Sequence, residues 1–179
     1  MITQPDNKKK LSQSEIREIN KIKRDQYTNE MQKLLNEKIR KLSVFLFNYL
    51  ENSHQDKNEK KVTDSQKNVL IYLPSEEYIQ VDTWQIISDL LKNKRYLLHV
   101  PKIKNNKIYP VTYTNQFTRN KYGNFECIEN IDQVTVNEVI PDIVIIPILT
   151  YNINGNFVDY HDEYYKQYIT RVSEKNNNL

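Results

Sequence analysis

"PDIVIIPIL" (141–149), running into "TYNINGNFVDYHDEYYKQYI" (150–169), is the stretch on which the fold turns. The first piece is short, apolar and rich in β-branched residues, the composition of a strand buried on both faces. The second passes a turn at Gly155 and returns to helical spacing, with Tyr160, Tyr164, Tyr165, Tyr168 and Val172 on or near one face. A strand that stops at a turn and restarts as a helix is where α/β proteins hold phosphate, because the first helical N–H groups and the helix dipole favour an anion. Such loops normally need glycine. Here Asp159, His161, Asp162 and Glu163 stand in the turn, and the whole chain holds two glycines, Gly123 and Gly155. Neither a GxGxxG loop nor a Walker loop can be formed.

The rest of the chain alternates in the same manner. "NVLIYL" (68–73), "RYLLHV" (95–100, stopped by Pro101) and "KIYPVTY" (107–113) read as strands. The last belongs at a sheet edge, since Pro110 has no N–H to give. Asp82 with Gln85 caps a helix whose apolar face is Ile86, Ile87, Leu90 and Leu91. Further upstream, Ser12 and Glu15 form a capping box ahead of Ile16, Ile19 and Ile22. A second helix carries Met31, Leu34, Leu35, Ile39, Leu42, Phe45, Leu46, Tyr49 and Leu50. The expectation is an α/β three-layer sandwich with a mainly parallel sheet, preceded by two N-terminal helices. Residues 1–11 read as a flexible tail and 12–170 as one domain containing a polar linker at 51–67. Residues 171–179 read as a disordered tail.

At 179 residues the chain can bury one real core. No apolar run approaches the ~20 residues of a membrane span, and no signal-peptide pattern opens the chain. A soluble cytoplasmic protein without a membrane partner is expected, with a mitochondrial location also open. The single cysteine, Cys127, allows no internal disulfide. Residues 1–68 carry 15 Lys/Arg against 10 Asp/Glu, and residues 69–179 carry 11 against 13. The basic excess suits a phosphate-bearing ligand but is too small to argue for nucleic acid by itself. Trp84 is read as core packing, with stacking on a ligand as the alternative. His99, in an apolar strand, is read as a semi-buried structural residue rather than a base. Asp159 and Asp162 are candidate metal ligands, or simply carboxylates that suit a helix N-terminus.

Taken in order, "EIREINKIKR", "YLPSEEYIQVDTWQII", "LLHVPK", "YGNFEC" and "PDIVIIPILTYNINGNFVDYHDEYYKQYI" resemble the 5-formyltetrahydrofolate cyclo-ligase (methenyltetrahydrofolate synthetase) family, over about residues 13–169. The resemblance implies an ATP-dependent ring closure that uses Mg²⁺. ATP activates the formyl oxygen of 5-formyltetrahydrofolate, the neighbouring nitrogen attacks, and phosphate leaves to give 5,10-methenyltetrahydrofolate. It assigns ATP contacts to Lys10, Arg17, Gly155, Tyr164 and Tyr165, and folate contacts to Gln80, Lys102 and Glu126. Several positions depart from the family pattern. The signature arginine falls on Phe157, its later glycines on Asp159, His161 and Glu163, and its final aspartate on Lys166. An ATP-contacting lysine of the opening helix falls on Gln13, and a folate-contacting glutamate on Gln80. Side chains in place of glycines block backbone approach to phosphate, and carboxylates add charge of the wrong sign. The expected activity is therefore weak or impaired. The alternative is a non-catalytic relative serving as an interaction or structural subunit. Family members also continue for several tens of residues, so the sheet is expected to keep an unpaired edge for a protein partner or the long N-terminal helix to cover; an incomplete reading frame is the other explanation.

Overall fold

Val69, Leu70 and Ile71 lose all contact with solvent, and the fold is arranged around them. The computed structural model describes residues 11–53, 66–75, 80–120, 125–128, 139–160 and 164–175. Its elements are α1 (Gln13–Asp25), α2 (Asn29–Ser53), β1 (Lys67–Ile71), α3 (Trp84–Leu91), β2 (Tyr96–Lys104), β3 (Lys107–Thr112), β4 (Phe117–Arg119), β5 (Phe125–Cys127), β6 (Ile143–Ile145), β7 (Ile148–Tyr151), β8 (Phe157–Asp159) and α4 (Tyr164–Lys175). The central sheet has the order β3-β2-β1-β6. β1 runs parallel to β2 and β6, and β3 is antiparallel at the edge.

Side-chain alternation along the strands sorts the core into two layers. Val69, Ile71 and Leu98 pack on one face with Phe47 of α2 and Ile86, Ile87 and Leu90 of α3. Leu70 and Ile108 pack on the other with Tyr168 and Val172 of α4. Each fully buried aliphatic side chain contributes about 2 kcal/mol through lost apolar hydration. Helices on both faces of a mainly parallel sheet make the expected three-layer sandwich. Two polar clamps fix α2 in place. Arg40 donates to both carboxylate oxygens of Asp89 at 2.8 and 3.2 Å, and Glu51 accepts from Asn93, Arg95 and Tyr96 at 2.7–2.9 Å.

Several expectations are corrected. Pro101 does not stop its strand, because β2 continues to Lys104 and turns back through Asn105 and Asn106, both at positive φ. That is the backbone of a two-residue hairpin turn. Tyr113 donates to the Leu98 carbonyl around the His99–Thr112 pair, so hydrogen-bonded pairs alternate from there. Pro101 therefore faces Pro110 at a pair that asks neither for an N–H. "DIVIIPIL" is not one strand: Ile146 and Pro147 separate β6 from β7, and β7 leaves the sheet to pair with β8. α2 takes residues 51–53 and β1 begins at Lys67; the remainder of the expected linker, 54–65, lies outside the described residues, as do residues 1–10. α4 continues to Lys175, beyond the expected domain end at residue 170.

The capping box of α1 forms as read, with Glu15 N–H on the Ser12 hydroxyl at 3.2 Å and Ser12 N–H on the Glu15 carboxylate at 2.8 Å. Its inward face is not the isoleucine stripe, however. Ile19 and Ile22 are exposed, and the helix is anchored by arginines instead. Arg24 donates to the Ile148 carbonyl at 3.3 Å and lies over the Tyr160 ring. No helix among the described residues is long and apolar enough to cross a membrane.

Candidate functional site

Parallel strands end together on one side of a sheet, and their carboxyl ends open a crevice there. In this chain the crevice is lined by Tyr72 and Ser75 after β1, Pro101 and Ile103 near the end of β2, and Pro147 after β6. Gln80, Glu126, Asp159, Tyr164 and Tyr165 complete it, with a volume of about 90 Å³. A second cavity of about 410 Å³ adjoins it, sharing Tyr72, Gln80, Pro147 and Tyr160, and is otherwise mostly aliphatic. The larger volume falls within the ~300–1,000 Å³ of small-molecule sites.

Five of the residues singled out from sequence thus meet in one place. Gln80 accepts from the Ser75 N–H at 3.3 Å, which orients its amide. Glu126 accepts from the Asn120 side chain at 2.8 Å. Tyr164 and Tyr165 start α4 and lean on the cluster around Leu70. Burial, then the neighbouring Tyr72 hydroxyl and Asp159, push the Tyr165 phenol well above its ordinary range. Burial does the same to Tyr72, whose hydroxyl donates to the Val81 carbonyl at 2.9 Å. Both phenols therefore remain protonated donors.

Arg17 reaches this site from α1. Its Nε donates to the Asp159 carbonyl at 3.1 Å, and its Nη2 lies 3.5 Å from Asp159 Oδ1. The Asp159 side chain is 3% exposed and that of Arg17 17%, so the pair is held largely out of water. Nearby, Lys166 of α4 lies 3.4 Å from the Gln13 side-chain oxygen and over the Phe157 ring. Three positions that sequence reading treats separately, Gln13, Phe157 and Lys166, are neighbours in space.

Other expected site residues go elsewhere. Gly155 sits in the exposed turn between β7 and β8 at φ +78°, where an added Cβ would meet nothing within 4 Å. Its N–H donates to the Asn152 carbonyl at 3.0 Å, so the glycine serves turn geometry and forms no cradle. Lys102 does not line the cleft; it lies on the opposite side of β2 from Pro101 and Ile103 and donates to the Cys127 carbonyl at 3.4 Å. Trp84 packs edge-on against Phe117 and Phe125, as core. His99 is buried on Asn68 at 2.9 Å, also a structural placement. Asp159 faces a guanidinium rather than an open ion position, and no cluster of three His, Cys, Asp or Glu side chains able to hold a metal occurs among the described residues. Lys10 and Asp162 lie outside the described residues. Tyr72, Asn120 and Tyr160 were not singled out as site residues; the signal available for Tyr72 was its place at the carboxyl end of a parallel strand.

No family model matches the sequence, and no curated protein matches it. Solved structures match the fold. A 5,10-methenyltetrahydrofolate synthetase from Aquifex aeolicus superposes with a TM-score of 0.59 at 22% identity, over 89% of this chain and 72% of its own. A 5,10-methenyltetrahydrofolate synthetase from Mycoplasma pneumoniae superposes at 0.58 and 15% identity, over 90% of this chain and 79% of its own.

Proposed function

We propose that the chain performs ATP-dependent conversion of 5-formyltetrahydrofolate to 5,10-methenyltetrahydrofolate, slowed by a phosphate site that is neutralised from within. The fold likeness to two methenyltetrahydrofolate synthetases supports the reaction class. One observation carries the qualification: Asp159, at a position where the family resemblance expects glycine, holds Arg17. Arg17 is the arginine that the resemblance assigns to ATP phosphates. A carboxylate there repels a phosphate oxygen about 4 Å away by roughly 1 kcal/mol in water and roughly 4 kcal/mol at an effective dielectric of 20. It also competes for the same guanidinium fork.

Positive charge is retained nearby. Lys166 stands beside Gln13, where the resemblance expects a lysine on α1. A cation delivered from α4 thus takes the place of one lost from α1. Tyr165, kept protonated, supplies a hydroxyl donor toward the bound molecule, Tyr72 is held by its bond to the Val81 carbonyl, and Gln80 and Glu126 line the cleft. A penalty of about 3 kcal/mol on the transition state lowers turnover by ~10²-fold.

The test is the appearance of the methenyl product's absorbance when the purified chain meets MgATP and 5-formyltetrahydrofolate. Slow turnover that Arg17→Ala abolishes and Asp159→Gly accelerates supports the reading. No turnover in either the native chain or Asp159→Gly contradicts it. That outcome favours a non-catalytic subunit, a reading supported by the apolar surface of α2.

A further inference from the structure

α2 is apolar on the wrong side as well as the right one. At 3.6 residues per turn, Asn36, Arg40, Phe47 and Glu51 mark the side turned to α3 and the start of β2. Ile39, with Phe47, packs into the same core cluster as Ile143 and Ile145 of β6. α3 connects β1 to β2, so α2 is displaced toward β6, the end of the sheet. Continuing round the helix past Ile39, the next flank is Leu35, Leu42 and Leu46, then Met31, Phe45 and Tyr49. Leu42, Phe45 and Tyr49 are 65%, 70% and 60% exposed. Only beyond them come Glu30, Glu37, Lys41 and Asn48, the polar face. The exposed apolar flank therefore points away from α3, above the outer edge of β6. Among the described residues no strand pairs with that edge.

We propose that this corner is the interface of a symmetric dimer of the chain. α2 packs antiparallel on α2 of a second copy, and the two β6 edges pair across the same two-fold axis to continue the sheet. The spacing Met31, Leu35, Lys38, Leu42, Phe45, Tyr49 alternates four and three residues, the seam of a left-handed helix pair. Antiparallel pairing about the helix middle sets Met31 against Tyr49, Leu35 against Phe45, and Lys38 against Leu42. Lys38 is the one polar residue in the seam, and its stem can cover apolar surface while its ammonium reaches water. Lys41, beside the seam, is paired with Glu37 at 2.7 Å, so the rim brings little repulsion to the axis. The patch is large enough. With roughly 100 Å² open on each of these six large side chains, the flank offers about 600 Å² per copy, three quarters of the ~800 Å² that a standard interface takes from each partner, and the β6 edge adds to it. A two-fold axis requires one self-complementary patch, and an apolar, nearly neutral helix flank beside a strand edge with which no described strand pairs meets that requirement.

Sedimentation equilibrium and light scattering on the full chain test this. The expected mass is twice the 21.5 kDa of one chain. Leu42→Glu and Phe45→Glu should each raise the dissociation constant by about tenfold or more, with the far-ultraviolet circular dichroism unchanged, while Asn48→Glu should leave the dimer intact. Native Cys127 is buried, so Leu42→Cys gives a selective probe in an otherwise native chain. A bismaleimide with a span of roughly 10 Å should link two copies through Leu42→Cys, whose two sites lie four residues (roughly 6 Å) apart along the antiparallel axes, but not through Asn48→Cys. A monomer at micromolar concentration overturns the proposal. So does a dimer indifferent to both glutamate substitutions, or a cross-link formed by Asn48→Cys in preference to Leu42→Cys.

Discussion

The two walls of the cleft are built from the same fold and filled in opposite ways. On the wall after β1, Gln80 and Tyr72 bond to near neighbours in the chain and leave a cavity of about 410 Å³ beside them. On the wall formed by α1 and β8, Arg17 and Asp159 occupy each other. The first wall has kept space; the second has exchanged space for an internal ion pair. On the proposed reading a substrate wall and a phosphate wall can diverge separately, because shape is set by many packed side chains whereas anion affinity depends on a few charges, Arg17 and Lys166 among them.

The most severe way to break this comparison is Arg17→Ala. It removes the guanidinium beside a buried carboxylate, and chemical denaturation should show a loss of about 3 kcal/mol. A loss under about 1 kcal/mol would place the pair among ordinary surface bridges. The pH dependence of unfolding sharpens the comparison by separating out His99, which belongs to neither wall. Burial lowers its pKa below the ordinary value. The unfolded chain then takes up a proton that the folded chain refuses as the pH falls below about 6.5. Its contribution is complete above that pH and is lost below it, with a slope of up to ~1.4 kcal/mol per pH unit. His99→Gln should flatten this part of the curve, and an unchanged slope would assign the acid sensitivity elsewhere. On the open wall, Tyr72→Phe removes the donor to the Val81 carbonyl and should cost about 1 kcal/mol, measured by the same unfolding experiment. Gly155→Ala, smallest in its reach, should cost up to about 1 kcal/mol through its positive φ and leave the affinity for ATP unaltered. A large loss of nucleotide binding in that variant would return Gly155 to the site.

Much of the scaffold was legible from residue pattern. The apolar run at 68–73, the α3 face of Ile86, Ile87 and Leu90 (Leu91 stays exposed), and the Ser12–Glu15 cap all follow from local chemistry, whereas the run at 142–149 is legible as strand but its break at Ile146 and Pro147 is not. The errors fell where tertiary context overrides it. Pro101 was read as a stop because its missing N–H is visible in sequence, whereas the non-bonded pair that tolerates it depends on Pro110 opposite. The stripe of Ile16, Ile19 and Ile22 suggested an inward apolar face, but α1 is held by Arg17 and Arg24 reaching residues over a hundred positions away. Within the site, Gln80, Glu126, Tyr164 and Tyr165 came from the resemblance and converge on the cleft. Asp159 was seen as a carboxylate out of place. That it faces Arg17 could not be read from sequence, since nothing in the chain relates a residue of the first helix to one of the eighth strand until both are folded.

The measurement that bears most directly on the internal neutralisation of Arg17 is a calorimetric titration of MgATP into the native chain and into Asp159→Gly, with thermal unfolding followed alongside. Removing the carboxylate should strengthen ATP binding by at least about tenfold, the 1.4 kcal/mol equivalent of a modest electrostatic release. The less stable Asp159→Gly protein should then regain melting temperature as ATP is added. Equal ATP affinity in the two proteins, or tighter binding by the native chain, would contradict the account.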